Sequence, residues 1–247
     1  MAETRGDRKV SALLEGVLAD VERTIASMLD HARRVDPRTE TLLDVGCWDG
    51  AATERYARRI GARPRGIEIF DAQARAAEAR GIEVARLDLE SECFPWGDAS
   101  VDLVVSNQVF EHLKNVWRPM SEIHRVLRPG GWLVISVPNL ASLHNRVLLA
   151  LGRQPTSIRT LGPHVRGYTF GEIRRFIALD GAFRVVRAAG AGFYPFPAPF
   201  SRPFAAVWPG ASHTSVVLAR RAEGAGEAPW AAWYRAERAG GLQSAFD

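Results

Sequence analysis

Two things are scarce in this chain of 247 residues: cysteine, and any long stretch free of charge. With only Cys47 and Cys93, neither a disulfide framework nor a four-cysteine zinc site can be built. Such usage fits a reducing compartment, so a cytoplasmic location is expected. No segment approaches the roughly 18 apolar residues of a spanning helix, and the charged start, Met1 to Lys9, is unlike a signal peptide. No membrane span and no export signal are therefore expected. A net charge of +4, from 32 basic and 28 acidic side chains, is too small and too dispersed to argue for nucleic acid. The more telling lack is local. Residues 123–171 contain no Asp or Glu, yet hold Arg125, Arg128, Arg146, Arg153, Arg159 and Arg166, with three of the six histidines. What remains is ordinary globular composition, 47% hydrophobic and 24% charged, enough to bury one full core.

Apolar residues at Val10, Leu13, Leu14, Val17, Leu18, Val21, Ile25, Met28 and Leu29 recur at spacings of three and four, which predicts one amphipathic docking helix. Beyond it, strand-like runs over 41–45, 64–69, 82–87, 101–106 and 132–137 alternate with helical segments over 51–60, 72–80 and 119–127. That alternation implies parallel strands with crossover helices on both faces, a doubly wound α/β sheet. Later come a helix over 140–151, a helix opened by the capping box Thr169 to Glu172, and two strands over 183–188 and 215–219. The expected organisation is an N-terminal helical extension (1–38), a main domain (39–220) with insertions at 139–168 and 193–209, and a tail (221–247) that is loose or docks on a partner.

The first strand ends Leu43-Asp44-Val45-Gly46-Cys47-Trp48-Asp49-Gly50, a glycine-cornered turn into a helix where a ligand can approach the backbone closely. The dinucleotide fingerprint Gly-x-Gly-x-x-Gly is absent, which argues against a nicotinamide cofactor. The second strand ends in Glu68-Ile69, about 20 residues on, where a carboxylate can accept both hydroxyls of a ribose. The third ends in Asp88-Leu89, where an acid can accept from an exocyclic amine beside apolar groups.

These blocks continue with Phe94-Pro95-Trp96-Gly97-Asp98-Ala99-Ser100-Val101-Asp102-Leu103, Phe110-Glu111-His112-Leu113 and Val126-Leu127-Arg128-Pro129-Gly130-Gly131-Trp132-Leu133. Over 42–139, about two fifths of the chain, the sequence resembles the class I S-adenosylmethionine-dependent methyltransferases, in their small-molecule, ubiquinone-biosynthesis-type group. The resemblance implies a Rossmann-like sheet of about seven strands with the last antiparallel. It implies S-adenosyl-L-methionine as cofactor, with Asp44, Gly46, Cys47, Trp48 and Gly50 around the methionine part. Glu68 and Ile69 would stand at the ribose, Asp88 and Leu89 at the adenine, and Asn107 and Gln108 beside the sulfonium. Trp48 stands where many members have Gly. A bulky residue resists positive φ, so the loop is expected to pass here in an ordinary conformation or to shift the cofactor's pose.

Methyl transfer from a sulfonium is an in-line displacement that needs a base only when the nucleophile is protonated. His112 and His144 are the candidate bases, because imidazole titrates near neutrality. Glu111 with His112 offers two ligands and no others at recognisable spacing, so no metal is expected. The acid-free stretch is read either as a consequence of buried elements or as a cationic rim of His144, Arg146, Arg159, His164 and Arg166, with Tyr168, that receives an anionic acceptor. The expected activity is O-methylation of a small-molecule or glycan-type acceptor. Carbon or nitrogen methylation, or a non-catalytic cofactor-binding subunit, are the alternatives. Ser106-Asn107-Gln108-Val109 replaces the Asp/Asn-Pro-Pro-Tyr element of many nucleic-acid base methylators, so no nucleic-acid partner is expected. The aromatic, proline-rich 193–209 segment reads as a lid or a dimer contact, and the state as monomer or homodimer.

Overall fold

The computed structural model describes residues 5–224, 226 and 228–238. Residues 1–4 of the expected N-terminal extension and 225, 227 and 239–247 of the expected tail lie outside the described residues. Seven strands form one sheet: β1 (Thr41–Val45), β2 (Arg63–Ile67), β3 (Glu83–Ala85), β4 (Val101–Asn107), β5 (Leu127–Pro138), β6 (Phe183–Ala191) and β7 (Thr214–Arg221). Their order is β3-β2-β1-β4-β5-β7-β6. The first five are parallel, and β7 runs antiparallel to both β5 and β6. The sheet is thus Rossmann-like and doubly wound. The chain winds outward from β1 to β3, then returns to place β4 on the other side of β1. The carboxyl ends of β1 and β4 therefore flank a topological switch point, where open α/β sheets bind ligands.

Alternation along each strand builds two cores. Leu42, Leu103, Val105, Trp132, Val134, Val216 and Leu218 pack with helices α1 (Arg5–Val35) and α2 (Ala51–Ile60). Leu43, Val104, Leu133, Ile135, Val217 and Ala219 pack with α4 (Trp117–Val126) and α6 (Phe170–Ile177). Each such Leu or Val contributes roughly 1.5–3 kcal/mol by leaving water. Along α1 the buried stripe is Val17, Val21, Ile25, Met28, Leu29 and Ala32, while Leu18 faces solvent. A polar latch fixes the end of this helix. Arg128 bridges Asp36 and Asp102, and Asp102 also accepts from the Glu40 and Thr41 amides and the Thr41 hydroxyl. Asp102 thus serves as a strand-start residue rather than a ligand.

Short helices complete the layers: α3 (Asp71–Glu78), α5 (Leu143–Ala150) and α7 (Ser201–Val207). Two expected elements are shorter than their patterns. The 82–87 run yields only the edge strand Glu83–Ala85. The helix expected from 140 begins at Leu143, because Leu140 bridges to Tyr168 and the Ser142 hydroxyl caps the Asn145 amide. At α6 half of the expected capping box is made: Thr169 Oγ1 accepts from the Glu172 amide at 3.2 Å, while Glu172 Oε1 accepts from Arg175 at 2.6 Å. The described part of the 221–247 segment departs from the expected loose or partner-docked tail. It forms α8 (Pro229–Arg238), whose Trp230 is fully buried against Phe176, Phe183 and His124 and donates from Nε1 to the Phe176 carbonyl at 3.1 Å. Among the described residues, no helix is long and apolar enough to cross a membrane.

Candidate functional site

At the switch point the loop after β1 is held against β2: the Gly46 and Cys47 amides both donate to the Ile67 carbonyl at 2.9 Å. Gly46 adopts φ +81°, and a Cβ there would meet Val109 at 2.5 Å. Only glycine fits both constraints. Gly50, at φ +76°, starts α2, and a Cβ there would strike Ile82 and Ala77, so its role is close packing of α2 on α3. Trp48 departs from expectation. It takes φ +51°, the glycine-type conformation, at a cost on the order of 1–2 kcal/mol. Glu68 offsets that cost: one carboxylate oxygen accepts the Trp48 amide at 3.0 Å and the other the Phe70 amide at 2.9 Å, while the indole packs edge-on against Phe70.

Around this loop lies a cavity of about 640 Å³ at the ends of β1, β2 and β4. Gly46, Trp48, Glu68, Ile69, Asp88, Leu89, Asn107 and Gln108 all line it, joined by apolar Ile67, Leu87 and Val109. Asp88 accepts from the Glu90 amide at 2.9 Å and the Ser91 hydroxyl at 2.7 Å. Ser136 fixes the far wall, donating to Asn107 Oδ1 at 2.5 Å and accepting from Gln108 Nε2 at 3.2 Å. Asp44, two residues before Gly46, is buried. Its Oδ2 accepts from Thr53 at 2.5 Å, whereas Oδ1 has no partner. Burial pushes its carboxyl up to about 7, and Asp44 stands behind the loop rather than in the lining of the cavity.

A second cavity, about 680 Å³, lies beside the first, and Gln108 lines both. Its wall includes His144, Arg159, His164, Tyr194 and His213, drawn from α5, the following loop and the late insertions. His144 stacks against Tyr194 with ring centroids 4.5 Å apart. Burial, and then the Arg159 guanidinium, hold His144 below its ordinary value, so its imidazole is neutral near pH 7 and able to accept a proton. His213 is pushed down to about 4 by burial and by His144.

A family model described as "Methyltransferase domain" matches residues 43–135, the segment that runs from β1 through β5 and carries the first cavity. Residues 43–135 are thus similar to a methyltransferase domain. Over 141 residues it is 33% identical to an uncharacterized methyltransferase of Mycobacterium sp. strain JLS, covering 55% of this chain and 54% of that protein. Over 124 residues it is 29% identical to a malonyl-[acyl-carrier protein] O-methyltransferase of Pseudescherichia vulneris, covering 50% and 48%. The chain thus spans about half the length of the curated relatives it matches. Among solved structures, an S-adenosylmethionine-dependent methyltransferase from Mesorhizobium loti shares the fold with a TM-score of 0.53 at 22% identity, over 78% of this chain and 96% of that one.

Within this methyltransferase fold the residues singled out from the sequence divide sharply. The Cys47 side chain turns away from the first cavity to pack on Gly66, Ala77 and Ile82. Of the residues expected at an acceptor, His144, Arg159 and His164 line the second cavity, but Arg146, Arg166 and Tyr168 do not. Arg146 donates to the Ala141 and Gly210 carbonyls and lies over Trp208. Arg166 donates to the Leu113 and Lys114 carbonyls and lies over Trp117. Tyr168 is buried, with its hydroxyl directed at the Phe110 carbonyl. These three hold loops in place rather than forming the rim. The sequence reading took Tyr194 only as part of the 193–209 segment expected to be a lid or dimer contact and passed over His213, which reaches the cavity just before β7. Of the two candidate bases, His144 lines the second cavity and His112 the first.

Proposed function

We propose that this chain transfers a methyl group from S-adenosylmethionine to an oxygen of a small-molecule or glycan-type acceptor that carries an anionic group. The observation that carries the reading is the adjacency of two unlike cavities with Gln108 as common wall: one with the carboxylates of Glu68, Asp88 and Glu90 among apolar side chains, the other with histidines and Arg159. The first suits the adenosyl part, with Glu68 accepting from the ribose hydroxyls and Asp88 from the exocyclic amine. When bound, the cofactor supplies an electrophilic methyl on a sulfonium. The chain's own contribution is to hold the acceptor oxygen in line and exclude water. Arg159 would pair with the acceptor's anionic group, and His144 would take the hydroxyl proton. The relative that acts as an O-methyltransferase on a malonyl group supports an oxygen nucleophile and a negatively charged acceptor.

The test is turnover of an acceptor panel with methyl-labelled donor. Anionic hydroxylated or carboxylated acceptors are expected to be methylated, with KM rising with salt and rising at least tenfold in Arg159→Ala. With hydroxyl acceptors, His144→Ala should lower kcat about a hundredfold or more, as loss of a general base does, whereas a carboxylate acceptor needs no base. Product methylated on carbon or nitrogen, or turnover indifferent to both substitutions and to salt, would overturn this reading.

A further inference from the structure

Where the two cavities meet, the 3-10 turn Phe110–His112 brings Glu111 and His112 against His164 from a distant loop. One carboxylate oxygen and one imidazole nitrogen from each histidine all lie within 4.8 Å of one another. Both Glu111 carboxylate oxygens are buried and have no hydrogen-bond partner. A buried carboxylate without donors is costly, and the native solutions are a proton, a cation or a metal. The two imidazoles decide between them. His164 Nδ1 lies 2.9 Å from the Ser157 carbonyl, and His112 Nδ1 lies 3.4 Å from the Pro163 carbonyl. A carbonyl only accepts, so each Nδ1 carries the proton and each Nε2 keeps its lone pair free. This is the tautomer and outer-shell support characteristic of metal-binding histidines. The two segments are also clamped together, since the Glu111 carbonyl accepts from both the Val165 and Arg166 amides.

We propose that Glu111, His112 and His164 bind a divalent transition metal, with zinc as the best match. Two imidazoles and one carboxylate exclude magnesium and calcium on ligand softness and leave a coordination position open. Ligand bonds of about 2.0–2.2 Å require only modest side-chain closure from the present separation. His112 lines the first cavity and His164 the second, so the ion would stand at their junction. Resting on the methyl-transfer reading, its role would be to hold the acceptor oxygen and lower its pKa.

Metal binding is measurable without donor or acceptor, so this inference and the functional reading fail separately. The full chain is stripped with a chelator and titrated with Co²⁺, followed by visible absorption, and with Zn²⁺ by calorimetry. One ion per chain is expected. Affinity should fall at least about tenfold, the loss that even outer-shell changes cause, in both His164→Ala and Glu111→Gln. Cys93→Ser, which removes the exposed thiol, should leave it unchanged. Circular dichroism and the denaturant midpoint, measured in parallel, establish that each variant is folded. Absence of Co²⁺ and Zn²⁺ binding at millimolar metal, or equal affinity in folded wild type, His164→Ala and Glu111→Gln, would overturn the proposal.

Discussion

At the scale of single residues, the acids divide into those that face a ligand and those that hold the chain. Glu68 does both: it fixes the strained Trp48 and Phe70 amides and presents its carboxylate to the cavity. Asp102 only holds the chain. Removing it leaves Arg128 paired with Asp36 alone and strips two backbone amides of their acceptor, so Asp102→Ala is expected to cost about 1–3 kcal/mol in urea unfolding. A loss under about 0.5 kcal/mol would show the latch to be dispensable. His124 offers a pH test. Burial beside Phe183 and Trp230, with Arg221 nearby, pushes its pKa down to about 4, below its ordinary value. Between pH 6.5 and 4 the unfolded chain therefore binds a proton that the native chain refuses, and native stability falls as pH falls. His124→Gln keeps an acceptor for Arg221 and lacks the titration. Relative to it, wild type should lose up to roughly 3 kcal/mol from pH 7 to pH 4. A stability difference that stays constant over that range would contradict the assignment.

At the scale of elements, the order of strands and helices was legible because glycine, proline and capping residues punctuate each boundary. Gly46 and Gly50 stand at real turns, whereas Arg128-Pro129-Gly130-Gly131, with Gly130 at φ +71°, lies inside β5 as an irregularity where its register with β4 shifts. The first cavity was legible for the same reason, since its residues sit at the ends of consecutive parallel strands, which pattern alone locates. The second cavity was legible only in part. Arg146 and Arg166 carry the same charge as Arg159, but carbonyls brought up by other segments capture them, and no local pattern announces such partners. Glu111 and His112 were visible as a pair, while the loop that returns His164 to them was not. The region beyond 221 was misjudged because its Ala, Gly and Glu content masked one decisive side chain, Trp230. Trp230→Ala is expected to destabilise the fold by about 3–5 kcal/mol, read by denaturant midpoint, with affinity for S-adenosylhomocysteine unchanged. A shift below about 1 kcal/mol would mean that α8 contributes little to the core.

At the scale of the whole molecule, the sheet supplies a rigid platform from 41–45 through β5, and the segments added outside it complete the wall of the second cavity. α1 is bound to α7 through Asp20, which accepts from Ser201 at 2.8 Å and Arg202 at 3.1 Å. The same insertion brings Tyr194 onto His144. On the proposed reading, acceptor choice would reside in parts of the chain outside the matched domain of residues 43–135. The central claim is that the acid-lipped cavity at the switch point holds the adenosyl group. The most direct measurement is calorimetry of S-adenosylhomocysteine with wild type, Glu68→Gln and Glu68→Ala, each verified as folded by circular dichroism. Charge-assisted hydrogen bonds to two hydroxyls predict an affinity loss of about 10- to 100-fold in both variants; a folded Glu68→Ala that binds as tightly as wild type would contradict the account.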